Sequence, residues 1–131
     1  MISDNIKKWE PVAGIPHQLY LLTLLDNAKS LEIKLQGSDT DNILTLSFPS
    51  YVSYRNTDET SRLKSLNDNK ILSSEWPIFK SNDTQYLDWV VEESFGISNK
   101  HNLIHYIITV GSGIIDVVAS QEPQLTWEEL K

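Results

Sequence analysis

The 131-residue chain contains no cysteine. That removes disulfide scaffolds, thiol catalysis and cysteine-ligated zinc together. Glycine and proline are scarce, five of each, which disfavours disordered, collagenous and low-complexity classes. Long apolar runs are missing as well. The longest, Leu19 to Leu25, is interrupted by Thr23 and far too short to span a bilayer, and the first sixteen residues lack the continuous apolar segment of a secretory signal. Positive charge is the last shortage: 11 basic against 18 acidic side chains give a net charge of −7 and a pI near 4.8. Lys7 and Lys8 form the only adjacent basic pair, while Arg55, Arg62 and Lys64 are scattered among acids. Such a chain repels phosphate backbones and anionic lipid, so neither nucleic acid nor a membrane is an expected partner, and a cytoplasmic location is the simplest expectation.

What remains is enough for one domain. With 40% hydrophobic residues, a chain of this length buries a core without covalent staples, and residues 1–131 read as a single unit. Acidity is concentrated in its second half: Met1 to Ser74 holds nine acids and eight bases, Glu75 to Lys131 nine acids and three bases. A negative face of this kind either keeps a protein dispersed or steers a basic partner.

Residues 1–16 carry no sustained period and contain Pro11, Gly14 and Pro16, so an irregular lead-in is expected, with Trp9 as its anchor. Leu19 to Leu25 then reads as a buried strand. Leu31, Ile33 and Leu35 alternate with Glu32 and Lys34, and Leu44, Leu46 and Phe48 with Thr45 and Ser47, which predicts two half-buried strands of an antiparallel meander. Val52 and Tyr54 extend that pattern. The Leu31 to Leu35 strand is a candidate sheet edge. Residues 57–74 are polar and irregular, with Leu63 and Leu66 as candidate inward contacts.

A helix is predicted from about Thr84 to Phe95. Ser81, Asn82 and Asp83 are its candidate N-caps, Leu87, Val90, Val91 and Phe95 form its apolar stripe, and Gly96 stops it. Leu103 to Val110 and Gly113 to Ala119 flank Gly111-Ser112, the signature of a two-residue hairpin. In that register Ile104, Tyr106, Ile108 and Val110 share a face with Ile115, Val117 and Ala119. Leu125, Trp127 and Leu130 in the tail are placed to close over the sheet. The expected fold is α+β: an antiparallel sheet of meander plus C-terminal hairpin, about five to seven strands, with one principal helix packed on it. No alternating βαβ units support a dinucleotide site, and no cofactor motif is present.

His105 and Asp116 become diagonal neighbours in the predicted hairpin, half of a general-base arrangement. The nucleophile is missing, since Ser112 lies in a hairpin tip rather than a strand-to-helix elbow; a structural pair is the plainer reading. His101 and His105, four apart on a strand, are separated by about 13 Å, too far to share a metal ion, so no metal site is expected. Tryptophans 9, 76 and 127 fall where large rings fasten irregular segments. Trp89 differs, lying one step off the helical stripe with Tyr86 and Glu93 at i−3 and i+4. Asp88 and Glu92 are like charges at i,i+4, costing an isolated helix roughly 0.2–0.5 kcal/mol, and Glu92 and Glu93 sit near the negative end of the dipole. Either a cation such as Lys80 or Arg62 neutralises them, or they serve a partner.

The segments Ser53-Tyr54-Arg55-Asn56-Thr57-Asp58-Glu59, Trp76-Pro77, Tyr86-Leu87-Asp88-Trp89, His105-Tyr106 and Ile114-Ile115-Asp116-Val117, spread over Tyr51 to Leu125, resemble small bacterial domains, some encoded beside polymorphic toxins and regarded as their immunity proteins. The resemblance implies a non-enzymatic protein that acts by binding a cognate toxin, and the acidic half fits a basic toxin domain. Asp88, Glu92, Glu93, Trp89 and Tyr86 are then the candidate binding residues. Two other readings stand beside it: a small-molecule or carbohydrate-binding domain using exposed tryptophans, and a weak hydrolase using His105 and Asp116.

Overall fold

A computed structural model describes residues 4–38 and 41–129. The described residues form an α+β structure in three layers. Nine strands make two antiparallel sheets, two more strands than the upper end of the sequence expectation and one sheet more. In chain order the elements are β1 (Lys7–Lys8), β2 (Leu19–Asp26), β3 (Leu31–Gly37), β4 (Ile43–Phe48), β5 (Ser53–Asp58), α1 (Leu63–Asp68), β6 (Ile78–Ser81), α2 (Gln85–Glu93), β7 (Ile104–Val110), β8 (Gly113–Ala119) and β9 (Gln124–Glu128). The four-stranded sheet runs β2-β3-β4-β9 and the five-stranded one β1-β6-β7-β8-β5.

The period-two residues explain how the sheets meet. Leu31, Ile33 and Leu35 of β3 and Leu44, Leu46 and Phe48 of β4 are buried in one cluster with Tyr106, Ile108 and Val110 of β7 and Ile115, Val117 and Ala119 of β8. Each fully buried Leu or Ile is worth roughly 1.5–3 kcal/mol relative to exposure, and a one-residue slip would turn the whole set outward, so these strands fix their own register. The hairpin follows the expected pairing, Tyr106 opposite Val117 and Ile108 opposite Ile115. Gly111 at its tip adopts φ +31°, and a Cβ there would meet the Tyr20 ring at 3.0 Å.

The second sheet exists because the chain changes layer after β4. Rather than extending the meander, β5 pairs with β8 from Ser53 opposite Val118 to Asp58 opposite Gly113. The Leu31 to Leu35 strand is therefore interior, with β2 and β4 on its two sides. Leu19 to Leu25 is a strand, but an edge rather than a buried one: the register with β3 shifts between Leu21 and Thr23, and Leu22 and Leu25 are exposed. Such a bulge blunts an open edge. The tail pairs instead of covering, with Leu125 opposite Leu46 and Trp127 opposite Leu44; Leu130 lies outside the described residues.

The lead-in is fastened by indoles. Trp9 is buried in the inter-sheet core, Trp76 Nε1 donates to the Trp9 carbonyl at 3.0 Å, and Trp127 Nε1 donates to the Ala13 carbonyl at 3.1 Å. Residues 57–74 hold more order than expected, folding as α1 between two 3-10 turns. Together with Ile6, Leu66 and Ile71, Leu72 of this segment covers Phe79, Ile107 and Ile114 on the outer face of the five-stranded sheet. On the same face Tyr86, Leu87 and Val90 of α2 pack with Leu103 and Val118. The helix is shorter than its sequence pattern. Thr84, not Ser81, Asn82 or Asp83, is the N-cap, its hydroxyl accepting from Leu87 N–H, and Phe95 has left the helical path with φ +54°, so its ring points to solvent instead of joining the stripe.

Candidate functional site

Between the two apolar patches on the outer face of the five-stranded sheet runs a polar strip. It forms where β5, β7 and β8 place Arg55, His105 and Asp116 side by side: Arg55 pairs directly opposite Asp116, and His105 is one register step away. The diagonal contact expected from the hairpin is made, with His105 Nε2 2.7 Å from Asp116 Oδ1. Asp116 Oδ2 accepts from Arg55 Nε at 2.9 Å and from Arg62 Nη1 at 2.6 Å. Asp116 is fully buried. Burial alone would raise its pKa, but the hydrogen bond and electrostatic interaction with His105, and then the charges of Arg55 and Arg62, outweigh it and hold the carboxyl well below the usual carboxylate range.

The other ring nitrogen of His105 has its own partner, Thr84 Oγ1 at 2.7 Å. A ring carrying its proton on Nε2 satisfies both contacts: Nε2–H donates to Asp116, Nδ1 accepts from the Thr84 hydroxyl, and that oxygen accepts from Leu87 N–H at 3.1 Å. Thr, His and Asp thus stand in line, as in a hydrolase. Yet Thr84 is only 2% exposed, its hydroxyl is committed on both sides, and it does not line the neighbouring cleft. A nucleophile is not presented there, and the line serves to pin the start of α2 to the sheet.

Beside the strip a cleft of about 460 Å³ opens between the sheet, α1 and the first turns of α2. Tyr86 is central to its wall. The ring stacks on Trp89 with centroids 5.9 Å apart and planes 14° apart, meets His105 edge-on at 5.1 Å, and lies 4.1 Å from the Arg55 guanidinium carbon. Its hydroxyl shares a 2.5 Å hydrogen bond with Ser53, and burial pushes its pKa up despite that bond and the Arg55 charge.

The expected binding residues divide. Tyr86 is buried rather than part of an exposed stripe, and Trp89 above it is 53% exposed. Asp88 is already paired: Lys100 reaches both Asp88 and Asp83 at 2.8 Å. Neither Lys80 nor Arg62 is that cation, since Lys80 sits 5.2 Å from the Trp9 ring centroid and Arg62 is turned to Asp116 and Ser65. Glu92 and Glu93 are exposed and have no cation partner among the described residues. Phe95 and Ile97 beside them are 97% and 89% exposed. His101 is exposed on a 3-10 turn, and the described residues hold no group of three His, Asp or Glu placed for a metal ion.

Sequence reasoning missed Thr84, Arg55 and Arg62 as members of one network. Thr84 was legible only as a helix start, and the two arginines are 61 and 54 residues from Asp116 in sequence, a separation that only the crossing of β5 to the second sheet closes. Tyr86, Arg55, His105 and Asp116 come from four separate segments of the sequence and meet at this one place. The chain matches no family model, no curated protein and no solved structure. Among the described residues no helix is long and apolar enough to cross a membrane.

Proposed function

We propose that this chain is a non-enzymatic binding protein of the immunity type, working in the cytoplasm, which occludes a basic toxin domain through the surface at the C-terminal end of α2. The observation that carries the reading is the combination found there: Glu92 and Glu93 exposed without a cation among the described residues, next to Trp89, Phe95 and Ile97, all largely in water. Phe95 contributes nothing to the core from that position, and exposed large rings grouped with unpaired charge suit recognition. The carboxylates would speed encounter with a basic partner, and the rings would supply most of the affinity. Asp88 and Tyr86 have supporting parts in this reading: Asp88 anchors Lys100, and Tyr86 backs Trp89.

The test is binding of the purified neighbouring gene product to the wild type and to two variants, Phe95→Ala and the double change Glu92→Gln with Glu93→Gln. The acidic double variant is expected to bind more slowly and with a flatter salt dependence, and Phe95→Ala to lose affinity by about tenfold or more. Equal affinity and unchanged salt dependence in both variants would overturn the reading. Co-expression adds a second readout, relief of toxicity by the wild type.

A further inference from the structure

The cleft beside Asp116 shares Tyr86 and Trp89 with the exposed end of α2, but it presents guanidinium donors where that surface presents carboxylates. Asp116 fixes two guanidiniums without consuming them. Arg55 gives it only Nε, so both terminal amino groups of Arg55 remain; Arg62 gives Nη1 to Asp116 and Nε to Ser65, so Nη2 remains. None of these remaining nitrogens has a hydrogen-bond partner among the described residues, and both arginines line the cleft. Both guanidiniums face the one carboxylate of Asp116. At the rim Lys64 is matched by Asp68 at 2.7 Å, and Asp4 accepts from the Gln85 backbone amide at 2.9 Å while keeping its negative charge. Three cations (Arg55, Arg62, Lys64) and three carboxylates (Asp4, Asp68, Asp116) line the cleft, so what the arginines offer a ligand is free N–H donors rather than uncompensated charge. The rest of the wall is flat and apolar, supplied by the rings of Tyr86 and Trp89 and by Ile107.

We propose that this cleft binds a small carboxylic acid with a flat apolar body, its carboxylate taken by the free nitrogens of Arg55 and Arg62 and its ring lying against Tyr86 and Trp89. A planar guanidinium matches a carboxylate through two parallel N–H donors, and the pair is stronger than a neutral contact because both partners are charged. The volume, about 460 Å³, lies within the range of about 300–1,000 Å³ in which small ligands are held. Because the cations of the lining are already matched in number by carboxylates, a monoanion is favoured over a phosphate dianion, which carries about twice the charge. Asp116 is a positioning residue here, since it orients the arginines and offers the ligand no donor. Glu92, Glu93, Phe95 and Ile97 of the proposed partner surface do not line the cleft, and Trp89 is common to both.

The experiment is an NMR titration of the full chain with sodium benzoate, benzamide and inorganic phosphate. Benzoate is expected to give saturable shifts at Tyr86, His105 and the Arg55 side chain, with benzamide and phosphate at least about tenfold weaker. Arg55→Gln, a change at a partly exposed position, is expected to weaken benzoate about tenfold while leaving the remainder of the spectrum in place. The benzoate and benzamide comparison needs no variant, so it decides even where a substitution disturbs folding. Benzamide equal to benzoate, phosphate binding as well as benzoate, undiminished benzoate binding by Arg55→Gln, or no saturation up to about 50 mM would each overturn the proposal. Arg55→Gln should leave affinity for the toxin domain unchanged, which separates failure here from failure of the partner reading.

Discussion

His105 and Asp116 face each other diagonally across the β7–β8 ladder, 2.7 Å apart, on the side of the sheet turned away from the inter-sheet core. Through that contact the helical layer is tied to the strands. Thr84 brings the first turn of α2 to the imidazole, Arg62 brings the start of α1 to the carboxylate, and Arg55 joins from β5. The apolar patches to either side hold the layer down, and the polar strip sets its alignment.

Removing the carboxylate should therefore cost more than any other single change in the strip. Asp116→Asn leaves the largely buried Arg62 and the part-exposed Arg55 without their counter-charge, and stranding a buried charge typically costs about 3–5 kcal/mol. Arg55→Gln, at a side chain 41% exposed, should cost about 1 kcal/mol or less. Urea unfolding of the three proteins at pH 7 measures both. A loss below about 1 kcal/mol for Asp116→Asn would mean that the strip is not dry enough for its charges to matter.

The same carboxylate predicts the acid limb of stability. Its folded-state pKa is depressed below the unfolded value of about 3.9, so the unfolded chain takes up the proton first as pH falls. The stabilisation is present in full above about pH 4 and is lost progressively below it, as pH drops toward the folded pKa. In parallel urea series at pH 7, 5 and 3, the gap between wild type and Asp116→Asn should hold from 7 to 5 and narrow at 3. A constant gap at all three would remove Asp116 from the acid response.

Alkali acts at the opposite face. Tyr106 packs between Trp9 and Phe48 in the inter-sheet core, and burial pushes its phenol up to about 12. An unfolded tyrosine ionises near 10, so the unfolded chain loses its proton first. Stability is whole below about pH 10 and falls as pH rises toward 12, by about 2–3 kcal/mol from this group. Tyr106→Phe should flatten that loss, measured by unfolding between pH 9 and 12. Equal alkaline sensitivity in the variant would assign the loss to other groups, Tyr86 first among them.

Local pattern revealed some of this and hid the rest for a physical reason. The alternation in β3, β4, β7 and β8 specifies both strand and inward face, because each strand has one buried side, and the Gly111-Ser112 tip fixes the hairpin register from which the His105–Asp116 contact follows. Layer assignment is different. Whether β5 continues beside β4 or crosses to β8 depends on which partner it finds 60 residues later, and its own residues, Ser53 to Asp58, carry no apolar alternation to decide it. The leucine run in β2 misled because composition suggests burial while the bulge at Leu22 turns part of the run outward. Asp88 illustrates the limit at the site: the like-charge conflict with Glu92 is visible in sequence, but its relief by Lys100 depends on a turn beyond the end of the helix.

Thr84 offers the sharpest separation between a cap and a network. Its hydroxyl performs two functions at once, accepting from Leu87 N–H as an N-cap and sharing a hydrogen bond with His105 Nδ1. Loss of a cap alone costs about 0.5–2 kcal/mol, and leaving the buried imidazole nitrogen without a partner adds about 1–3 kcal/mol. Thr84→Ala should thus lose more than a cap, about 2–4 kcal/mol in urea unfolding, whereas Thr84→Ser keeps the oxygen and should retain most of the stability. The discriminating third protein is Thr84→Asp, which can cap α2 but brings a carboxylate that cannot donate to Nδ1. If the contact with the imidazole matters beyond the cap, Thr84→Asp will unfold at lower urea than Thr84→Ser. Equal stability of the two would show that Thr84 acts on the helix and not through the histidine.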